Sequence, residues 1–401
     1  MGFISSTNIQ WIEYLQEQLI GSFPSNETAL RYQFGKKKVF STSDMLHLHY
    51  FPTHQGKVDV QDEAFSRYEH PRSKEMLALL NDRFWRAVKH LKPHAEGFQI
   101  RENVTLGCLP LGYLNALATK GPGGDYVILL NDGLFPLARC LSEIFVLSLE
   151  ETETSFHIPS GDLLKTAVED ERLVSLFREV FLDYLTSGSV EGLGSNEIYV
   201  DGRGDRLKIA SCMVHSLLMF VLAHEYAHIF CGHLDQARPD GAENPEKRRA
   251  QELSSDLFST GITVFYDNYH TRMGVSLASL GINLFFLIDE LFHPRQHSGS
   301  REEPEEPYPS TRLRREACLY KIYSLVSYQD YSVTVDVWND LVQLFSGWRA
   351  ALKNPFSTPE DLAEFLDRKQ RRRGAILDVI DSIARGKFRR EEGQDQQVIL
   401  Y

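Results

Sequence analysis

Midway along the chain, VLAHEYAHIFCGH (221–233) interrupts an apolar run with His224, Glu225 and His228. Residues four apart on a helix project from one face a single turn apart, so two imidazoles can reach one ion at about 2.0–2.1 Å. Glu225 lies about 100° further round the helix, beside a water on that ion rather than among its ligands, which is where a general base belongs. The HExxH pattern thus reads as two zinc ligands and a base for hydrolysis. Catalytic zinc takes three protein ligands and keeps one position open, so a third ligand is expected downstream. Gly232 and His233 stand at the wrong offsets for an HExxHxxGxxH site, whereas QELSSDLFS supplies Glu252 and Asp256, four apart on another helical face. Glu252 completes a His/His/Glu set, and Asp256 is suited to accept the free ring N–H of one ligand histidine and fix its tautomer. The bland alternative is a pair of core histidines satisfied by hydrogen bonds, and for His215 and His233 a structural role is the favoured reading. Cys231 reads as a small buried residue.

HEYAHIFCGHL followed by ExxxD resembles the gluzincin metallopeptidases, in particular the small-core group that includes the HtpX and CAAX-prenyl proteases. LNALATKGPGGDYVILLNDGLFPL (114–137) is similar to that group's strand segment, with Asn115 and Ala116 at its Asn-Ala positions, and YPSTRLR (308–314) resembles its HPSTxxR segment, with Arg314 in the arginine's place. Tyr308 stands where the relatives have His, and their membrane spans have no counterpart. Lit-type phage-exclusion peptidases and ImmA-like peptidases are also similar in the HExxH and ExxxD elements. The resemblance implies an α+β fold: a mainly helical zincin-like core with a small antiparallel or mixed sheet packed on the HExxH helix, plus helical additions. It implies one Zn2+ held by His224, His228 and Glu252, hydrolysis of peptide bonds with Glu225 as general base, and an oxyanion donor for which Tyr308, Arg314 and His233 are candidates. Strand 109–118, with Asn115 and Ala116, is expected to bind extended polypeptide by strand addition. A stress or phage-defence role is implied only by the soluble relatives.

Those groups need elements to hold them. Helical spacing marks 9–23 and 74–91. Residues 98–131 read as strands FQIREN, PLGYLNALAT and DYVILLN with a GPGGD turn, followed by a helix from GLFPLARC. An amphipathic helix is expected near LLKTAVEDERLVSLFREVFLDYL, then a Gly/Ser-rich loop, the long helix 209–234, a polar loop through QARPDGAENPEKRRA, and a helix from near Gln251. A low-complexity acidic loop covers 294–310, and the remainder reads as helical, with a start at 357–360. The division this predicts is an N-terminal mixed, mainly helical region at 1–95, a peptidase core at 96–330 with an insertion at 136–208, and a helical C-terminal region at 331–401. The insertion and the N-terminal region are candidates for gating the cleft.

With 401 residues, 42% hydrophobic and 24% charged, the composition is that of a globular protein with a sizeable core. A net charge of −12 argues against non-specific nucleic-acid binding, so no nucleic-acid partner is expected. The basic runs Lys36–Lys38 and Arg368–Arg373 read as solvated faces, as does the strand carrying His47, His49 and His54. Five scattered cysteines without a CxxC pair fit a reducing compartment, and no secretory signal precedes them, so a cytoplasmic location is expected. The MGxxxS start is only a superficial lipidation match. The apolar stretches 209–230 and 274–292 carry too many polar residues for lipid-facing helices and are expected to be buried, with no transmembrane segment. Two functions follow as expectations. One is a regulated zinc endopeptidase with a protein or peptide substrate and a regulatory protein partner; the other is a non-catalytic zinc-containing sensor or binding module on the same fold.

Overall fold

The computed structural model describes residues 6–22, 65–66, 71–91, 100–109, 116–131, 133–151, 156–157, 162–187, 205–235, 244–266, 275–292 and 309–352. Within them the order is α1 (Ser6–Ser22), α2 (Pro71–Leu91), β1 (Val104–Leu109), β2 (Ala116–Lys120), β3 (Tyr126–Asn131) and α3 (Leu134–Ser148). A two-residue pair β4 (Glu150–Glu151) and β5 (Phe156–His157) precedes α4 (Asp162–Glu169), α5 (Glu171–Ser187), α6 (Asp205–Phe230) and α7 (Pro245–Tyr266). Helices α8 (Val275–Phe292), α9 (Thr311–Leu325) and α10 (Tyr328–Ala351) follow. The architecture is α+β, mainly helical, as expected from the sequence.

The axis of the fold is α6. Leu207 and every residue from Ala210 to Phe230 are buried, because α3, α7 and α8 surround the helix and the small sheet covers what remains. A helix apolar all round is a core helix or a membrane span. By length and composition α6 could cross a membrane, but 89% of its most apolar window is buried by this chain itself. Its contact with α8 is unusually close at Gly281, where a Cβ would lie 2.5 Å from the Met213 carbonyl oxygen. One hydrophobic cluster runs from Met76 on α2 to Leu352 beyond α10, and a second joins Phe220, Phe286, Cys318 and Trp338 beneath α9.

The sheet is mixed, in the order β1-β3-β2, with β1 parallel and β2 antiparallel to β3. Gly124 (φ 83) makes the turn between β2 and β3, adopting the left-handed conformation that side chains disfavour. The outer edge of β1 is covered by α1, whose Gln16 amide donates to the Cys108 carbonyl at 2.7 Å. Edge strand β2 lies against α6, toward the end that carries the histidines.

The structure corrects several sequence expectations. FQIREN is not a strand among its described residues; the strand is the following VTLGCL, five of whose six residues are buried, so alternation gives no signal there. Of PLGYLNALAT only the part from Ala116 lies in the described residues, where it forms β2. The helix from near Gln251 starts at Pro245 instead, with the Asn244 side chain accepting from the Glu246 amide at 2.9 Å; proline at the first helical position needs no hydrogen bond of its own. The amphipathic segment near 163–185 is two helices, because the Asp170 carboxylate caps a new start by accepting from Arg172 and Leu173. The 357–360 start, both basic runs and the histidines at 47, 49 and 54 lie outside the described residues.

Candidate metal centre

Two helices build the site. On α6, His224 and His228 share a face as their spacing requires, with Nε2 atoms 3.1 Å apart. From α7, which packs along α6, Glu252 brings Oε2 to 3.4 Å from Nε2 of His224 and Oε1 to 3.8 Å from Nε2 of His228. Ligand atoms held about 2.0–2.1 Å from a tetrahedral ion lie about 3.3 Å from one another. The three groups fit one ion, and they form a buried set that could hold a metal, their ligand atoms all within 4.8 Å of one another.

The ring nitrogens that face away from this point are also occupied. His224 places Nδ1 3.0 Å from Oδ1 of Asp256, within ion-pair range though not in the straight line of a good hydrogen bond. Asp256 is fully buried and is gripped by Arg314 from α9, whose Nε and Nη2 donate to its two oxygens at 2.7 and 2.8 Å. The same guanidinium stands 3.9 Å from Glu252 and lies over the Phe286 ring. His228 points Nδ1 at Nδ1 of His233, 3.1 Å away.

Electrostatics separate the roles. Burial disfavours charge on every group here, yet His224, His228 and Arg314 hold Glu252 well below the usual carboxylate range, and Arg314 and His224 lower Asp256. Burial likewise opposes a charged His224, but Asp256 and Glu252 outweigh it and raise that ring; burial and the charge on His224 lower His228. Glu225 differs. Burial, reinforced by Glu252, pushes it up to about 7 against the pull of His224, Arg314 and a hydrogen bond from the Ala118 amide on β2. It is the one carboxyl of the three poised near neutrality.

The structure therefore brings together His224, His228, Glu252, Asp256, Glu225 and Arg314. Arg314, expected as a candidate oxyanion donor, commits Nε and Nη2 to Asp256 and so braces that carboxylate from α9. Ala116 opens the edge strand β2 two residues from the amide that meets Glu225. Tyr308 and Asn115 lie outside the described residues. The expected helix 209–234 is corrected: it stops at Phe230, and Gly232 (φ 69) turns the chain so that His233–Asp235 form a 3-10 turn. That glycine just past a periodic apolar run is a helix-stop signal, and heeding it reveals His233 as a neighbour of His228 rather than a continuation of the helix. Comparison with family models, with curated proteins and with solved structures found no match.

Proposed function

We propose that the chain is a zinc-dependent metalloendopeptidase of the gluzincin type, with a zincin-like core, that hydrolyses a peptide bond in an intracellular protein substrate. The observation that carries this reading is the pairing of a three-donor cage with a further buried carboxyl, Glu225, which is not among the cage donors and which burial holds above the usual carboxylate range. A structural zinc is normally closed by four protein ligands and needs no such acid, whereas a catalytic one keeps a position free. Two imidazoles and a carboxylate suit zinc. The ion would supply Lewis-acid polarisation of the scissile carbonyl and acidify a water.

The chain's own groups do the rest. Glu225 takes the proton of the attacking water and returns it to the leaving amine. Asp256 and His233 orient the ligand rings, and Arg314 holds Asp256 in place. Because the Ala118 amide donates to Glu225, β2, an edge strand of the described sheet, runs beside the base, and an extended substrate added along it would bring its backbone to the site. No nucleic acid enters this reading, and a regulatory protein partner remains part of the proposal.

The test is Glu225→Gln. It should keep zinc in stoichiometric amount and lose cleavage by about 10²–10⁴-fold in a search for new N-termini in cells expressing either form. Undiminished cleavage by the variant would defeat the proposal. A non-catalytic zinc protein is the second reading, favoured by the burial of the donors, with His224 at 8% and His228 at 6% exposure. It gains if the two forms give identical sets of fragments.

A further inference from the structure

We propose that His233 is a positioning residue: it accepts the ring proton of His228, so that His228 aims an unprotonated Nε2 at the metal, and Asp235 anchors the turn that carries it. The inference rests on the metal reading above.

The proton count leads to the direction of that bond. Nε2 of His228 faces Nε2 of His224 at 3.1 Å and Glu252 at 3.8 Å, so Nε2 is the nitrogen turned to the cage. A nitrogen that offers its lone pair to a cation carries no proton. A neutral imidazole has one N–H, which must then sit on Nδ1. Across 3.1 Å it meets Nδ1 of His233, which can only accept, leaving the proton of His233 on its own Nε2. The two rings stand 5.1 Å apart at 71°, an edge approach that suits a ring N–H directed at a ring lone pair. The cage is thus asymmetric: His224 is backed by a carboxylate, His228 by a neutral ring.

His233 can do this only if its turn is held, since α6 has already ended. Two residues on, the Asp235 carboxylate meets three groups from the sheet. Arg101 ahead of β1 donates Nη2 at 2.7 Å, Lys120 at the end of β2 brings Nζ to 2.7 Å, and the Tyr126 hydroxyl at the start of β3 donates at 2.8 Å. The sheet therefore reaches the metal cage twice, through the Ala118 amide on Glu225 and through Asp235 and His233 on His228.

Two near-isosteric substitutions separate positioning from packing. Asn carries Oδ1 on Cγ, where His carries Nδ1, so His233→Asn keeps an acceptor at the same reach; His233→Leu keeps the branched shape without one. Zinc affinity of the full chain is measured by competition with a chromophoric chelator, and the absorption spectrum of the cobalt-substituted protein reports ligand geometry. His233→Leu should bind zinc about 10–100-fold more weakly with an altered cobalt spectrum, while His233→Asn should restore both. If His233→Leu matches wild type, or His233→Asn is as weak as His233→Leu, the inference is overturned while the metal reading stands. If wild type takes up neither metal, both are overturned. Should His233→Leu fail to fold, long-range proton–nitrogen correlations on the zinc-loaded wild type decide: Nδ1–H on His228 with Nε2–H on His233 supports the assignment, and the reverse pattern sinks it.

Discussion

The buried contact between Asp256 and Arg314 can be tested as a unit. Asp256 has no exposed surface, the Arg314 side chain is 11% exposed, and two hydrogen bonds of 2.7 and 2.8 Å join them. Removing one partner of such a pair leaves a desolvated charge behind, at a cost of about 3–5 kcal/mol. Asp256→Asn strands the guanidinium, whose next contact, Glu252 at 3.9 Å, offsets only part of the loss. Arg314→Met strands the carboxylate beside His224. The double variant removes both charges together, so its loss should fall short of the sum of the singles by about 2–3 kcal/mol. Urea unfolding followed by the fluorescence of buried Trp338 and Trp348, in excess chelator so that no metal contributes, gives the four free energies. Single-variant losses below about 1 kcal/mol, or a cycle that closes without coupling, would show that Asp256 and Arg314 do not depend on each other.

Other outcomes follow from the same contacts. Zinc at about a thousandfold excess over its Kd should stabilise the protein against urea by about 4 kcal/mol, a gain that His228→Ala should abolish. The Asp235 carboxyl is held below its ordinary pKa by Lys120, Tyr126 and Arg101 despite partial burial, so its contribution is present above about pH 4 and fades as pH falls. Replacing the partly exposed Asp235 by Asn should therefore cost about 1 kcal/mol at pH 7, with a gap to wild type in thermal melts that narrows as pH falls below about 4; a gap unchanged down to about pH 2 would contradict the assignment. Gly281→Ala, whose Cβ would meet backbone atoms of α6, should lose at least about 1–3 kcal/mol in chemical denaturation, and an unchanged midpoint would show that the helices separate freely.

How much of this was readable beforehand depends on whether the signal was local. The cage was legible because α-helical periodicity alone puts His224 beside His228 and Glu252 beside Asp256, and only one packing contact, α6 on α7, is needed to join the pairs. Helix α8 was legible to within a residue, since its apolar run is long and lacks breakers. Strand β1 was not, because burial on both faces erases the period-two pattern, and the charged residues just before it imitate alternation. The positions of Arg314 and His233 beside the cage were hidden for another reason. Each depends on a turn or helix start, Ser310 capping α9 and Gly232 ending α6, that redirects a side chain toward a partner distant in sequence or on the far side of a bend.

The charge inventory of the site argues for a divalent ion independently of the ligand distances. Glu225, Glu252 and Asp256 bring three carboxyls against one guanidinium, Arg314, on which Asp289 also acts, so with all ionised and both ligand imidazoles neutral at least two negative charges are left over in a buried place. Desolvation makes that excess costly, and proteins discharge it by binding cations or retaining protons. The electrostatics of these side chains run the same way: burial pushes Glu225 up to about 7, and Asp256 and Glu252 raise His224 against the effect of its burial. A doubly charged ion between His224, His228 and Glu252 balances the same excess and, by its own field, favours the ionised form of Glu225. In the proposed reading this is how a buried carboxyl beside the ion would serve as a base, and why its burial beside the cage, which a structural site would have no use for, is an asset to a hydrolytic one.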